Sequence, residues 1–164
     1  MKRRHFLYAL GGLTVGPVTA SRAFSTEQGT PMRPDRIERS DAEWHQLLTQ
    51  EQFYVLRKAG TERSWTSPLN DEKRPGTFVC AGCELPLFSA ETKFESGTGW
   101  PSFYDVLPDA IATKRDFKLI LPRTEYHCDR CGGHQGHVFN DGPQPTGLRY
   151  CNNGAAISFV PADS

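Results

Sequence analysis

Two Cys-x-x-Cys knuckles, Cys80-Ala-Gly-Cys83 and Cys128-Asp-Arg-Cys131, constrain this chain more than any other feature. Each follows a β-prone stretch, Thr77-Phe78-Val79 before the first and Tyr126-His127 before the second. Brought face to face, the knuckles present four thiolates to one ion. That donor set suits tetrahedral Zn²⁺ and leaves no coordination position open for chemistry. Residues 84–127 separate the two halves, enough chain for a whole functional segment to be inserted between them. A disulfide reading stands beside the metal reading, because the N-terminus looks exported. A thioredoxin-like redox pair accounts for one knuckle but not for two. His127 or His134 offers a substitute ligand, although four cysteines already suffice.

The export reading rests on the first 23 residues. Lys2, Arg3 and Arg4 form a basic head, an apolar run follows from Phe6 to Ala20, and small residues end it at Val18-x-Ala20 or Ser21-x-Ala23, two candidate cleavage sites. Gly11, Gly12, Gly16 and Pro17 interrupt the run, which falls short of the ~20 residues a spanning helix needs. Arg3-Arg4 followed by Phe6-Leu7 resembles the twin-arginine signal for folded proteins, departing from its usual pattern at Lys2 and Tyr8. An ordinary secretion signal is the alternative. Either places the mature protein outside the cytoplasm, in a periplasm or a thylakoid lumen, with no stable membrane insertion after processing. Cleavage after Ala23 removes four of 19 basic groups and leaves 15 facing 19 acidic ones, a net charge of about −4. A nucleic-acid partner is therefore not expected.

Residues 24–37 are polar and contain prolines, the composition of a linker, and residues 38–160 then form one domain. Ser40-Asp41-Ala42-Glu43 and Thr49-Gln50-Glu51-Gln52 are successive capping boxes. They predict two short helices between about residues 41 and 59, with Trp44 and Phe53 as core anchors and Gly60 as the stop. With 15 Gly and 12 Pro in 164 residues, the rest reads as short strands between turns. The candidates are 77–80, 87–88, 118–121, 125–128, 138–139, 149–151 and 156–160. The expectation is a mainly β fold under a helical N-terminal cover.

Cys151 is left over once four cysteines are assigned. Arg149, two residues away and on the same face of an ideal strand, favours a thiolate if it approaches. Asn152-Asn153-Gly154 offers amide donors in a turn. Gly133-His134-Gln135-Gly136-His137 supplies two imidazoles, of which His137 is preferred as proton donor because Val138-Phe139 can pack it in place. Read locally, the same residues also fit a buried structural cysteine and two hydrogen-bonded surface histidines. Two functional rivals follow from these residues. One is a zinc-knuckle module that binds a protein partner. The other is a Cys/His hydrolase with Asp141 as the third member of a triad.

Six strings carry a resemblance to the B-type methionine sulfoxide reductases. They are Gly60-Thr61-Glu62-Arg63, Thr66-Ser67-Pro68-Leu69, Phe78-Val79-Cys80-Ala81-Gly82-Cys83, Phe94-Glu95-Ser96-Gly97-Thr98-Gly99-Trp100-Pro101-Ser102-Phe103, Gly136-His137-Val138-Phe139-Asn140-Asp141-Gly142-Pro143 and Gly147-Leu148-Arg149-Tyr150-Cys151-Asn152-Asn153. They run in family order over about residues 38–160. The resemblance implies two antiparallel β-sheets with short N-terminal helices, and a structural zinc held by Cys80, Cys83, Cys128 and Cys131. It implies Cys151 as the nucleophile that reduces the R epimer of methionine sulfoxide, free or in oxidised proteins. Trp100 then walls the pocket for the substrate methyl group, His134, His137 and Asn153 orient and protonate the sulfoxide oxygen, and Arg149 lies near the nucleophile. Many members carry a second, resolving cysteine where this chain has Thr98. Regeneration by an external reductant, a small thiol or a thioredoxin-like protein, is therefore the expectation.

Overall fold

The computed structural model describes residues 33–119 and 121–163. The expected export signal and most of the expected linker lie outside the described residues. Residues 33–37 lie against the second knuckle: Ile37 N–H donates to Arg130 O (2.8 Å), and Arg130 Nε donates to Asp35 Oδ2 (3.0 Å).

Both capping boxes form. In α1 (Asp41–Leu47), Ser40 Oγ accepts from Glu43 N–H while Glu43 Oε2 accepts from Ser40 N–H at 2.8 Å. In α2 (Gln50–Lys58), Thr49 and Gln52 exchange the same pair of bonds, at 3.2 and 3.0 Å. Trp44 and Phe53 are buried, whereas Leu47, on the same apolar spacing, faces solvent. The stop of α2 is Ala59, in the left-handed region at φ 49°, and not Gly60 as expected. Gly60 has a different reason to be glycine: a Cβ there would lie 2.2 Å from the Tyr54 ring.

Among the described residues nine strands follow: β1 (Gly76–Cys80), β2 (Pro86–Ser89), β3 (Lys93–Phe94), β4 (Ser102–Phe103), β5 (Ile111–Asp116), β6 (Arg123–Cys128), β7 (His134–Phe139), β8 (Arg149–Asn152) and β9 (Ile157–Pro161). They make a three-stranded sheet ordered β2-β1-β9 and a six-stranded sheet ordered β3-β4-β8-β7-β6-β5, antiparallel throughout. This is the expected mainly β fold of two sheets with short N-terminal helices. Aromatic side chains join the sheets. Phe88 of the small sheet stacks on Phe103 of the large one with centroids 4.1 Å apart, and Phe78 meets Phe103 edge-on at 4.9 Å. Tyr126 and Tyr150 extend the cluster with an edge contact at 5.5 Å. Such pairs contribute about 0.5–1.5 kcal/mol each beyond the area they bury.

One expected strand is absent. Lys118 and Leu119 bend away after β5, with Lys118 N–H bonded to Asp116 Oδ1 (2.9 Å), and Leu119 and Leu121 are 58% and 76% exposed. Lys118, Leu119 and Leu121, the described residues of that run, lie in no strand. The strand is its polar neighbour β5, Ile-Ala-Thr-Lys-Arg-Asp, whose only strand partner among the described residues is β6. An edge strand with three exposed positions needs little apolar patterning, and the β6 ladder supplies what the side chains do not.

Candidate functional site

The knuckles converge because β1 delivers Cys80 and β6 delivers Cys128 to the same end of the molecule. In the first, Glu84 N–H donates to Cys80 O (2.8 Å) with Glu84 at φ 60°; in the second, Gly132 N–H donates to Cys128 O (2.9 Å) with Gly132 at φ 67°. The four Sγ atoms lie within 4.8 Å of one another, with Cys80–Cys131 at 3.7 Å and Cys83–Cys128 at 3.5 Å. A tetrahedron of Zn–S bonds of about 2.3 Å has edges of about 3.8 Å, so the donor set fits a four-thiolate metal centre. None of the five cysteines is in a disulfide. Four facing thiols in a largely buried cluster cannot all ionise without a cation to offset their repulsion. Outer contacts brace the cage: Gln135 Nε2 reaches Cys80 Sγ at 3.4 Å, Arg57 donates to Cys131 O (2.9 Å) and Arg130 to Cys83 O (3.0 Å). His127 and His134 are not in the cluster.

Cys151 lies elsewhere, in the middle of the six-stranded sheet. It pairs with His137 across β7–β8 and with Ser102 across β4–β8. Strands come this close over Gly136, where a Cβ would sit 1.9 Å from Cys151 O. The thiol opens on a cavity of about 120 Å³ lined by Thr61, Trp100, Arg123, Gly136, His137, Phe139, Cys151, Asn152 and Asn153. That is well below the ~300 Å³ of a small-molecule cleft, and matches a single side chain better than a large ligand. Two roomier clefts, about 530 and 730 Å³, contain neither thiol nor imidazole.

Of the residues singled out in the sequence, the structure brings Cys151, His137, Trp100 and Asn153 to this cavity. Arg149 stands beside it. Its Nε and Nη2 bind Asp141 Oδ1 and Oδ2, both at 2.8 Å, and its guanidinium lies 4.4 Å from the Phe139 ring centroid. Burial pushes the Cys151 thiol above its ordinary value, while the Arg149 charge and a hydrogen bond from Thr98 pull it part of the way back. His134 is buried behind the cavity, its ring 5.5 Å from that of His137. His134 Nδ1 is 2.9 Å from Glu125 Oε1 but out of line for a hydrogen bond, and Nε2 has no hydrogen-bond partner.

The carboxylate at His137 is Asp116. Its Oδ2 lies 2.7 Å from His137 Nε2 and accepts from Arg123 Nη2, also at 2.7 Å. Burial lowers His137, and Asp116 partly restores it; Asp116 itself is held far below the ordinary carboxylate range by Lys118 N–H, His137 and Arg123. Asp141, the carboxylate named for the hydrolase rival, is taken by Arg149, and Asp116 stands at His137 in its place. Asp116 and Arg123 escaped the sequence reading. They flank the misread 118–121 segment, and only the β5–β6 pairing brings Asp116 opposite Arg123.

Residues 48–161 match the family described as SelR domain. Three curated relatives are named peptide methionine sulfoxide reductase MsrB. The one from Methanosarcina barkeri is 50% identical over 129 residues, 78% of this chain and 91% of the relative. Those from Leptospira interrogans and Pseudomonas putida are 51% identical over 124 residues and 50% over 129, covering 75% and 78% of this chain and 95% and 97% of theirs. The chain belongs to the B-type methionine sulfoxide reductases. It is thus a member of an oxidoreductase family, as the six strings implied. In this reductase, the departure at Thr98 is built into a hydroxyl chain beside the thiol: Thr98 Oγ1 lies 2.8 Å from Ser96 Oγ, which lies 2.8 Å from Ser102 Oγ. At position 98 this chain sets a hydroxyl beside Cys151.

Proposed function

We propose that this chain reduces the R epimer of methionine sulfoxide, free or within oxidised proteins, and so repairs them. The observation that carries the reading is the register of β7 and β8, which sets the Cys151 thiol opposite His137 in a small cavity walled by Trp100. The Cys151 thiolate attacks the sulfoxide sulfur as a proton is delivered to the oxygen, which otherwise gathers charge in a largely dry pocket. His137 is the donor, oriented by Asp116. Asn153 steers the oxygen, and His134 supports the imidazole from behind. The attack forms an S–S bond to the substrate sulfur; that bond and the sulfoxide S–O bond then break as the protonated oxygen passes to Cys151, where an S–O bond forms. Methionine leaves two electrons richer, and Cys151 becomes a sulfenic acid, two electrons poorer.

Among the described residues no second thiol faces Cys151, since the other four lie in the metal cluster. One external thiol condenses with the sulfenic acid, releasing water and leaving a mixed disulfide. A second thiol releases Cys151. A small thiol or a thioredoxin-like protein fills this part. The metal is zinc on this reading, held by Cys80, Cys83, Cys128 and Cys131. Four thiolates fill its coordination, so it supplies cross-linking and takes no part in the reaction. Residues 1–23 direct export by the twin-arginine route, 24–37 link, and 38–160 carry the reductase domain. No helix among the described residues is long and apolar enough to cross a membrane.

Turnover of each epimer with dithiothreitol, by the wild type and by Cys151→Ser, tests the reading. The wild type is expected to consume the R epimer alone, and Cys151→Ser to lose at least about a thousandfold in rate while keeping its metal. Consumption of the S epimer, or a Cys151→Ser protein that still turns over, contradicts it. A knuckle module that only binds a partner would show neither activity.

A further inference from the structure

Glu62 is a buried carboxylate, 7% exposed, that no basic side chain pairs among the described residues. Burying such a group costs several kcal/mol unless hydrogen bonds compensate it. Two do. Glu62 Oε1 accepts from Gly154 N–H at 2.6 Å, and Oε2 accepts from Ala155 N–H at 2.7 Å, short lengths typical of bonds to an ionised acceptor. These N–H groups open the 3-10 turn Gly154–Ala156, and such first-turn donors have no partner within their own helix.

The N-cap of that turn is Asn153, a residue type well suited to accept those bonds itself. It does not. In α1, α2 and the 3-10 turns Pro68–Asn70 and Ala90–Thr92, the N-cap side chain accepts from its own first turn; at Gly154–Ala156 it makes no capping bond. The cap comes instead from Glu62, 92 residues away in sequence. The Asn153 amide is thereby released. Its Oδ1 accepts from Glu62 N–H (3.0 Å) and its Nδ2 donates to Gln135 O (2.9 Å), which leaves the amide one N–H and one lone pair unused, and Asn153 lines the cavity. The same residue holds the opposite wall, since Trp100 Nε1 donates to Glu62 O at 3.2 Å. Gly154 permits the approach: a Cβ there would lie 1.9 Å from Ser67 Oγ and 3.2 Å from Glu62 Oε1.

We propose that Glu62 is the positioning residue of the substrate cavity: by capping the 154–156 turn in place of Asn153, it frees the Asn153 amide for the substrate and fixes the Trp100 wall with its main chain. The inference rests on the sulfoxide-reductase reading and extends it to a residue that touches no reacting atom. Without the carboxylate, Asn153 turns to cap its own turn and leaves the cavity. Glutamine at position 62 keeps one acceptor but aims an NH₂ at a backbone N–H, so it loses one of the two bonds and adds a donor–donor conflict.

The test compares wild type, Glu62→Gln, Glu62→Asp, Asn153→Ala and the Glu62→Gln/Asn153→Ala pair, using a peptide containing R-methionine sulfoxide and dithiothreitol. Alkylation of Cys151 by iodoacetamide is followed alongside. Glu62→Gln is expected to raise KM about tenfold or more with kcat within about threefold, to leave Cys151 alkylation unchanged, and to cost nothing further once Asn153 is alanine. A KM within about twofold of wild type overturns the inference, as does full additivity with Asn153→Ala or a fall in alkylation matching the fall in kcat/KM. If Glu62→Gln does not fold, Glu62→Asp decides. It keeps charge and both acceptors one carbon short, so KM should rise about threefold to tenfold, and an unchanged KM overturns the claim. Failure of the underlying reading would show in the wild type itself, which would then reduce no sulfoxide. Failure of the Glu62 inference shows only between variants of an active enzyme.

Discussion

At Cys151, burial raises the thiol while Arg149 and Thr98 draw it down and Asp141 opposes Arg149. The signs give a paired prediction. Removing the cation with Arg149→Met raises the thiol further, so the pH midpoint of iodoacetamide alkylation moves up and the rate at neutral pH falls about threefold to tenfold. Removing the anion with Asp141→Asn, which keeps one acceptor for the guanidinium, moves the midpoint down and speeds alkylation. Midpoints that move the same way would mean that packing, not charge, governs the thiol. The reactive cluster was readable as far as strand alternation and spacing reach: Cys151, Arg149 and His137 lie within one short stretch of chain. Glu62 was visible only as a letter in a family string, and Asp116 not at all. Their importance depends on partners 92 and 21 residues away, which no local pattern encodes.

Among the elements, the two knuckles bring β1 to β6, strands of different sheets, so a metal held by the four cysteines would cross-link layers that otherwise meet through Phe78, Phe88, Phe103 and Tyr126. Serine in place of any one knuckle cysteine, the fully buried Cys80 and Cys128 included, should lower metal content and melting temperature together, the latter by on the order of 10 °C. Metal analysis beside a thermal melt checks this. A metal-free wild type with the same melt and full activity would show that the clip is dispensable. Helices α1 and α2 were legible because capping boxes are local hydrogen-bond chemistry. The strand at 134–139 was only partly so: His134, Gln135 and Gly136 have weak β preference, and two neighbouring ladders hold them extended. The exchange of 118–121 for 111–116 has the same origin, since apolar content marks burial and β5 is an exposed edge.

For the whole molecule, the export proposed above would require a four-thiolate cluster and the Cys151 thiol to reach an oxidising compartment unoxidised. Folding and metal loading before transport would protect the four knuckle thiols, which is the physical case for the proposed twin-arginine route. Changing Arg3-Arg4 to Lys-Lys should trap precursor in the cytoplasm; normal export would remove that case. On the proposed mechanism the enzyme stops after each turnover until a thiol arrives, because the neighbour of Cys151 at position 98 is a threonine and the other four cysteines lie in the metal cluster. Mixing the reduced protein with excess R-methionine sulfoxide and no reductant measures this directly. The expected result is about one methionine per chain, a dimedone adduct on Cys151 and no disulfide by mass spectrometry. Several methionines per chain, or oxidised protein in which Cys151 is joined to Cys80, Cys83, Cys128 or Cys131, would contradict it.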